Sequence, residues 1–123
     1  MESPRTYIAE ATPERGALLA TISNTVVGLY KRFYGKGPTR ARSYLLDDMV
    51  ICVLRGGMTR AELTLAESGR ADVVARQRQE FQAAVRDEFI AAIEEIVDRR
   101  VEASLSAAHH APDVSVEIFV LER

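Results

Sequence analysis

The segment Tyr30-Lys31-Arg32-Phe33-Tyr34-Gly35-Lys36-Gly37-Pro38-Thr39-Arg40-Ala41-Arg42 gathers five basic residues and no acid, in a chain of formal net charge −2. Backbone N–H groups at the glycines, with Lys36, Arg40 and Arg42 nearby, suit phosphate or another anion. In an extended strand Arg40 and Arg42 point to the same face. Tyr30 and Tyr34, four residues apart on a helix, share a face and offer rings on which a base or nucleotide could stack. Lys36, Gly37, Arg40, Arg42, Tyr30 and Tyr34 are therefore the candidate ligand-binding set. The segment lacks the Gly-x-x-x-x-Gly-Lys-Ser/Thr spacing of a phosphate-binding P-loop and does not follow a strand. The same residues also have architectural uses. Lys31 and Arg32 complement a helix C-terminus, the glycines stop that helix, and arginines on an edge strand discourage edge pairing. The architectural reading carries more weight, and the ligand-binding reading stands beside it.

The remaining chemistry-bearing residues point away from catalysis. The one cysteine, Cys52, lies in the apolar run Met49-Val50-Ile51-Cys52-Val53-Leu54. That context reads as a core thiol rather than a nucleophile, and a lone cysteine is consistent with a reducing compartment. His109 and His110 are adjacent, so an extended loop sends them to opposite sides, and no third His or second Cys completes a metal site. Asp47-Asp48 suits a hairpin turn, and Glu94-Glu95-x-x-Asp98 a solvated helix face. With no nucleophile–base order, metal set or cofactor motif, the sequence makes no positive case for an enzyme and implies no cofactor.

The elements that carry these residues follow from periodicity. Residues 1–11 read as a loose lead-in, with Tyr7 and Ile8 available to staple onto the first helix. Thr12-Pro13-Glu14 has the form of a helix start: Thr as N-cap, Pro in the first turn, then an acid. Leu18, Leu19, Ile22, Val26, Leu29 and Phe33 then recur at helical spacing, until Gly35, Gly37 and Pro38 end the helix. Thr39–Leu46 and Met49–Leu54 predict a hairpin across Asp47-Asp48, and the second run, apolar on both faces, belongs at the centre of a sheet. Thr59-Arg60-Ala61-Glu62 is a capping box for a short helix ending near Ser68-Gly69. From about Ala71 to Val97 the pattern is helical without a breaker, with Val74, Phe81, Val85, Phe89, Ala92, Ile93 and Ile96 on one stripe. Two strands follow, about Arg100–Ala107 and Val114–Leu121, joined through His109-His110-Ala111-Pro112-Asp113. The order α-β-β-α-α-β-β predicts a small α+β two-layer sandwich: a mainly antiparallel sheet with helices on one face, in a single domain over residues 12–123.

Bulk properties narrow the partners. The apolar content of 47% and charged content of 28% suit a globular domain with a real core. The charge of −2 gives no global attraction to nucleic acid, which is a less favoured partner than a protein. No run approaches the roughly 20 apolar residues of a membrane span, and Met1-Glu2-Ser3-Pro4-Arg5 lacks a signal peptide's order, so the expected location is cytoplasmic. The long helix, roughly 40 Å at 1.5 Å per residue, exceeds a small domain's width. Its basic residues Arg70, Arg76, Arg78 and Arg86 precede its acids Glu88, Glu94, Glu95 and Asp98. An antiparallel second copy would set the two halves against each other, which predicts a homodimer through this helix.

Several short motifs in one order resemble the MpsC-like family, labelled "Na+-translocating membrane-potential-generating system C". They are Gly35-Lys36-Gly37-Pro38 before a hairpin, the Asp47-Asp48-Met49-Val50 turn, Arg55-Gly56-Gly57-Met58-Thr59-Arg60-Ala61-Glu62, Arg78-x-x-Phe81, and the Val116–Leu121 ending. The resemblance spans residues 12 to 122. It implies a non-enzymatic cytoplasmic accessory or regulatory module, linked to a membrane system for cation or bicarbonate handling through a membrane-protein partner. The alternative, from the residues themselves, is an anion-, nucleotide- or nucleic-acid-binding domain centred on the Gly-Lys-Gly-Pro loop.

Overall fold

A computed structural model of the chain describes residues 12–123. The lead-in over residues 1–11, with its Tyr7–Ile8 staple, lies outside the described residues. The elements are α1 (Pro13–Tyr34), β1 (Arg40–Leu46), β2 (Met49–Arg55), α2 (Arg60–Glu67), α3 (Ala71–Val97), β3 (Val101–His109) and β4 (Val114–Leu121), in the order read from the sequence.

The local signals act as expected. Thr12 caps α1, its Oγ1 accepting from Arg15 N at 3.1 Å, with Pro13 in the first turn. Gly35 ends the helix in the left-handed region at φ +88°, donating its N–H to Lys31 O at 3.2 Å. Asp47 takes φ +54° in the two-residue turn between β1 and β2, a region that Asp tolerates better than most side chains. The Thr59–Glu62 capping box closes in both directions, at 2.9 and 3.1 Å.

The four strands form one antiparallel sheet in the order β1-β2-β4-β3. The long helices α1 and α3 pack on one side of it, and α2 rests against α3. Val50, Cys52, Leu54, Phe119 and Leu121 from the central strands meet Ile22, Val26 and Tyr30 of α1 and Val85, Phe89 and Ile93 of α3 in the core. Phe81 and Ile96 pack at its margin, so the apolar stripe of α3 is engaged within the chain. Burial pushes the Cys52 thiol up to about 11, as befits a core residue.

Two details depart from the sequence reading, and a third settles the faces of β4, which the sequence left open. β3 continues to His109, which pairs with Val114 instead of lying in the connection. The rings of His109 and His110 lie 6.0 Å apart and nearly parallel, not on opposite sides. In β4 the buried series is Ser115, Glu117, Phe119 and Leu121, while Val114, Val116, Ile118 and Val120 face the uncovered side of the sheet.

The loop after β2 is tightly fitted. Gly56 adopts φ +75°, and a Cβ there would strike Thr39 Oγ1. Thr39 cannot easily retreat, because its N–H and hydroxyl both bond Arg55 O, at 2.9 and 3.2 Å. Gly56→Ala should therefore lower stability by about 1–3 kcal/mol, read by denaturant titration. Gly16→Ala is the control, because nothing lies within 4 Å of its Cβ position.

Candidate functional site

The loop 56–59 is the hub of a polar junction. Met58 is buried, and its N–H donates to Asp113 Oδ2 at 3.0 Å while its carbonyl accepts from Lys36 Nζ at 2.8 Å. Gly57 O accepts from an Arg78 guanidinium nitrogen at 3.1 Å. Arg78 also grips Glu62 with two N–H groups, at 2.8 and 2.9 Å, a bidentate pair that leaves Glu62 1% exposed. The Tyr34 hydroxyl donates to the same carboxylate, and the guanidinium lies 5.0 Å from the Tyr34 ring centroid. Glu62 thus caps its own helix, pairs with α3 and receives α1. Burial works to raise its pKa, but the donors from Arg78, Tyr34 and the Thr59 N–H outweigh that and hold it below the usual carboxylate value. Burial likewise opposes the charge on Arg78, and its Glu62 partner more than compensates.

Beside this junction a second network surrounds Glu117, also 1% exposed, on β4. Its Oε2 accepts from the Tyr30 hydroxyl at 2.7 Å and from Ser106 Oγ at 2.5 Å. Gln82 Nε2 in turn donates to the Tyr30 oxygen at 2.6 Å. Unlike Glu62, Glu117 has no guanidinium within hydrogen-bond reach among the described residues. Burial therefore prevails over its two hydroxyl donors and pushes its pKa up to about 7. Burial and the neighbouring carboxylate also raise the Tyr30 phenol, so it stays a neutral donor.

The two networks share a cavity of about 320 Å³ between the first half of α3 and the β3–β4 edge of the sheet. Small residues on the strands, Ser104, Ser106, Ala107, Ala108 and Ser115, leave the space open. Arg78, Gln79, Gln82 and Arg86 form the α3 wall, and Tyr30, Tyr34 and Phe81 the inner end. Arg86 is exposed and forms no ion pair among the described residues, whereas Arg78 is neutralised by Glu62. The wall thus presents one unspent cation, side-chain amides and hydroxyls, which suits a small oxyanion or carboxylate.

The structure divides the six residues singled out from the sequence. Tyr30 and Tyr34 meet on the helix side, ring centroids 6.3 Å apart, and line the cavity. Arg40 and Arg42 are exposed on the other face of the sheet, away from both tyrosines. Lys36 binds the Met58 carbonyl, and Gly37 lies so close to α1 that a Cβ would fall 2.8 Å from Lys31 Cγ. Reading the sequence missed Glu62, Arg78 and Glu117 as buried polar residues. One signal pointed to them: Gly35–Pro38, Arg55–Glu62 and Arg78-x-x-Phe81, distant in the chain, are brought together at this junction.

Residues 14–123 match the family described as "Na+-translocating membrane potential-generating system (MpsC)". No curated protein and no solved structure gives a significant match.

Proposed function

From the premise that the chain belongs to the MpsC family, we propose that it is a non-catalytic accessory module of such a membrane system, acting from the cytoplasm and regulated by a small anion held in its cavity. Among the described residues no helix is long and apolar enough to cross a membrane; in this reading coupling to translocation passes through a membrane-protein partner. The observation that carries the ligand reading is one cavity lined both by exposed Arg86, which has no ion-pair partner among the described residues, and by Tyr30 and Ser106, the two hydroxyls that hold the buried Glu117 behind the wall. An oxyanion bound to Arg86, Gln79 and Gln82 would repel the Glu117 carboxylate and favour its protonated form. Binding should then be tighter at pH 6 than at pH 8.

Thermal unfolding against bicarbonate, phosphate, small carboxylates, nucleotides and sodium chloride tests this. A ligand at a hundred times its Kd adds about 2.7 kcal/mol to stability. The expected result is a shift with one anion that is larger at pH 6 and is lost in Arg86→Gln. A shift lost instead in Arg40→Ala/Arg42→Ala would move the anion to the basic strand. No shift with any anion would reject the ligand part and leave the accessory role to be tested by co-purification with membrane proteins.

A further inference from the structure

The face of the sheet away from the helices is laid out in rows by the strand register. Leu46, Met49, Val120 and Ala103 form one row, Tyr44, Ile51, Ile118 and Leu105 the next, and Arg42, Val53, Val116 and Ala107 a third. Arg40, Arg55, Val114 and His109 close one end. At the other end stand the Asp47-Asp48 turn and Glu122, whose carboxylates pair within the chain with Arg99, Arg100 and Arg123, the Arg123–Asp47 pair lying open to solvent. Met49 and Leu105, at 38% and 55% exposure, are the large hydrophobic residues most open to solvent among those described, and both lie on this face. An apolar face of this breadth, bounded by charge, marks an interaction surface.

We propose that this face pairs with the same face of a second copy, sheet against sheet. A twofold axis in the plane between the sheets and perpendicular to the strands keeps β1 over β1 and reverses strand direction. It sets the apolar rows on one another and lays Arg40 and Arg55 over the turn of the second copy, twice by symmetry, where the exposed Asp47 carboxylate, held only by Arg123 at 3.6 Å, can be shared with them. A twofold axis parallel to the strands would instead lay this end on itself, with β1 over β3, and set Arg40 on His109 and Arg55 on Val114. At about 4.8 Å between strands and 3.3 Å per residue, four strands of some eight residues offer roughly 500 Å² per copy, about 1,000 Å² in the pair. That reaches the lower bound of a specific interface and predicts a reversible dimer. This inference is independent of the anion reading, because the cavity opens on the helix side.

Sedimentation velocity on the full chain from about 1 to 100 μM tests it, with Leu105→Glu and Arg40→Glu/Arg55→Glu beside the wild type. Leu105 is on an edge strand and already exposed, so Leu105→Glu should fold normally, which circular dichroism verifies. The expected result is a concentration-dependent wild-type dimer whose Kd rises about tenfold or more in each variant, since each places a charge against an apolar or like-charged surface. A monomer at every concentration would overturn the proposal and leave the face to residues 1–11 or to a different protein. A dimer indifferent to both variants would overturn it in favour of another surface, such as α3.

Discussion

Arg78→Met should cost about 3–5 kcal/mol of stability, because it removes one partner of a buried ion pair. The penalty does not measure the worth of the ion pair. It arises because Glu62, 1% exposed, is left without the two N–H groups that hold it at 2.8 and 2.9 Å. Tyr34 and the Thr59 N–H remain as donors, too few to offset burial of a full charge. The folded-state pKa of Glu62 would then rise above its unfolded value, so Arg78→Met should regain stability as the pH falls toward 5. In Glu62→Gln/Arg78→Met the uncompensated charge is gone and the amide can still accept from Thr59. The double variant should be less destabilised than the sum of its singles, and a urea titration of all four proteins at pH 5 and 8 measures this. Additive losses with no pH dependence would show that Arg78 acts by packing alone.

Glu117→Gln should remove the fall in stability that the wild type shows as the pH rises from 5 to 8. The wild-type carboxyl titrates near 7 when folded and near its ordinary value of 4.5 when unfolded. Between those values the folded state holds more protons, so stability falls as the pH rises through that window and levels off above it. The span corresponds to about 3 kcal/mol. Below pH 4.5 the sign reverses: Glu62 and Asp48, whose pKa values are depressed in the fold, lose their contributions as they protonate. Asp48 owes its depression to the hydrogen bond from Arg99 first, then to Arg123. The wild type should therefore be most stable near pH 5. In Glu117→Gln the side-chain amide oxygen could still accept from Tyr30 and Ser106. That variant should show a flat profile from pH 5 to 8 and exceed the wild type at pH 8. Parallel profiles for the two proteins would reject this account of Glu117.

The element order, the caps and the turns were legible because each is written within a few residues. Thr12-Pro13, Gly35, Asp47-Asp48 and Thr59–Glu62 carry their own physics, and the placement of β2 at the sheet centre followed from its two apolar faces. The polar interior was not legible, for a reason equally physical. Tyr30 and Glu117 are 87 residues apart, and Arg78 and Glu62 are 16 apart on different helices. A charged residue alternating with valines reads as solvent-facing, since nothing nearby in the chain announces the hydroxyls that will satisfy it. In β4 both alternating series are nearly as apolar as each other, so inward and outward could not be told apart. The cavity left only a faint trace, the run of Ala and Ser in β3, which packs little and so leaves room. Arg78 was misplaced because three neighbouring arginines on α3 look equivalent until the fold turns one of them inward.

The strand order has a further meaning in chain entropy. Each hairpin closes over a short connection, residues 47–48 in one and 110–113 in the other. The β2–β4 seam that unites them brings together segments separated by all of α2, α3 and β3, roughly 60 residues. Closing a loop of that length costs about 2–3 kcal/mol more than closing a tight turn. The molecule is thus two locally closed halves whose union is the entropically expensive event. Cys52 and Glu117 face each other across that seam, so a carboxyl whose pKa burial pushes up to about 7 sits where the two halves are joined.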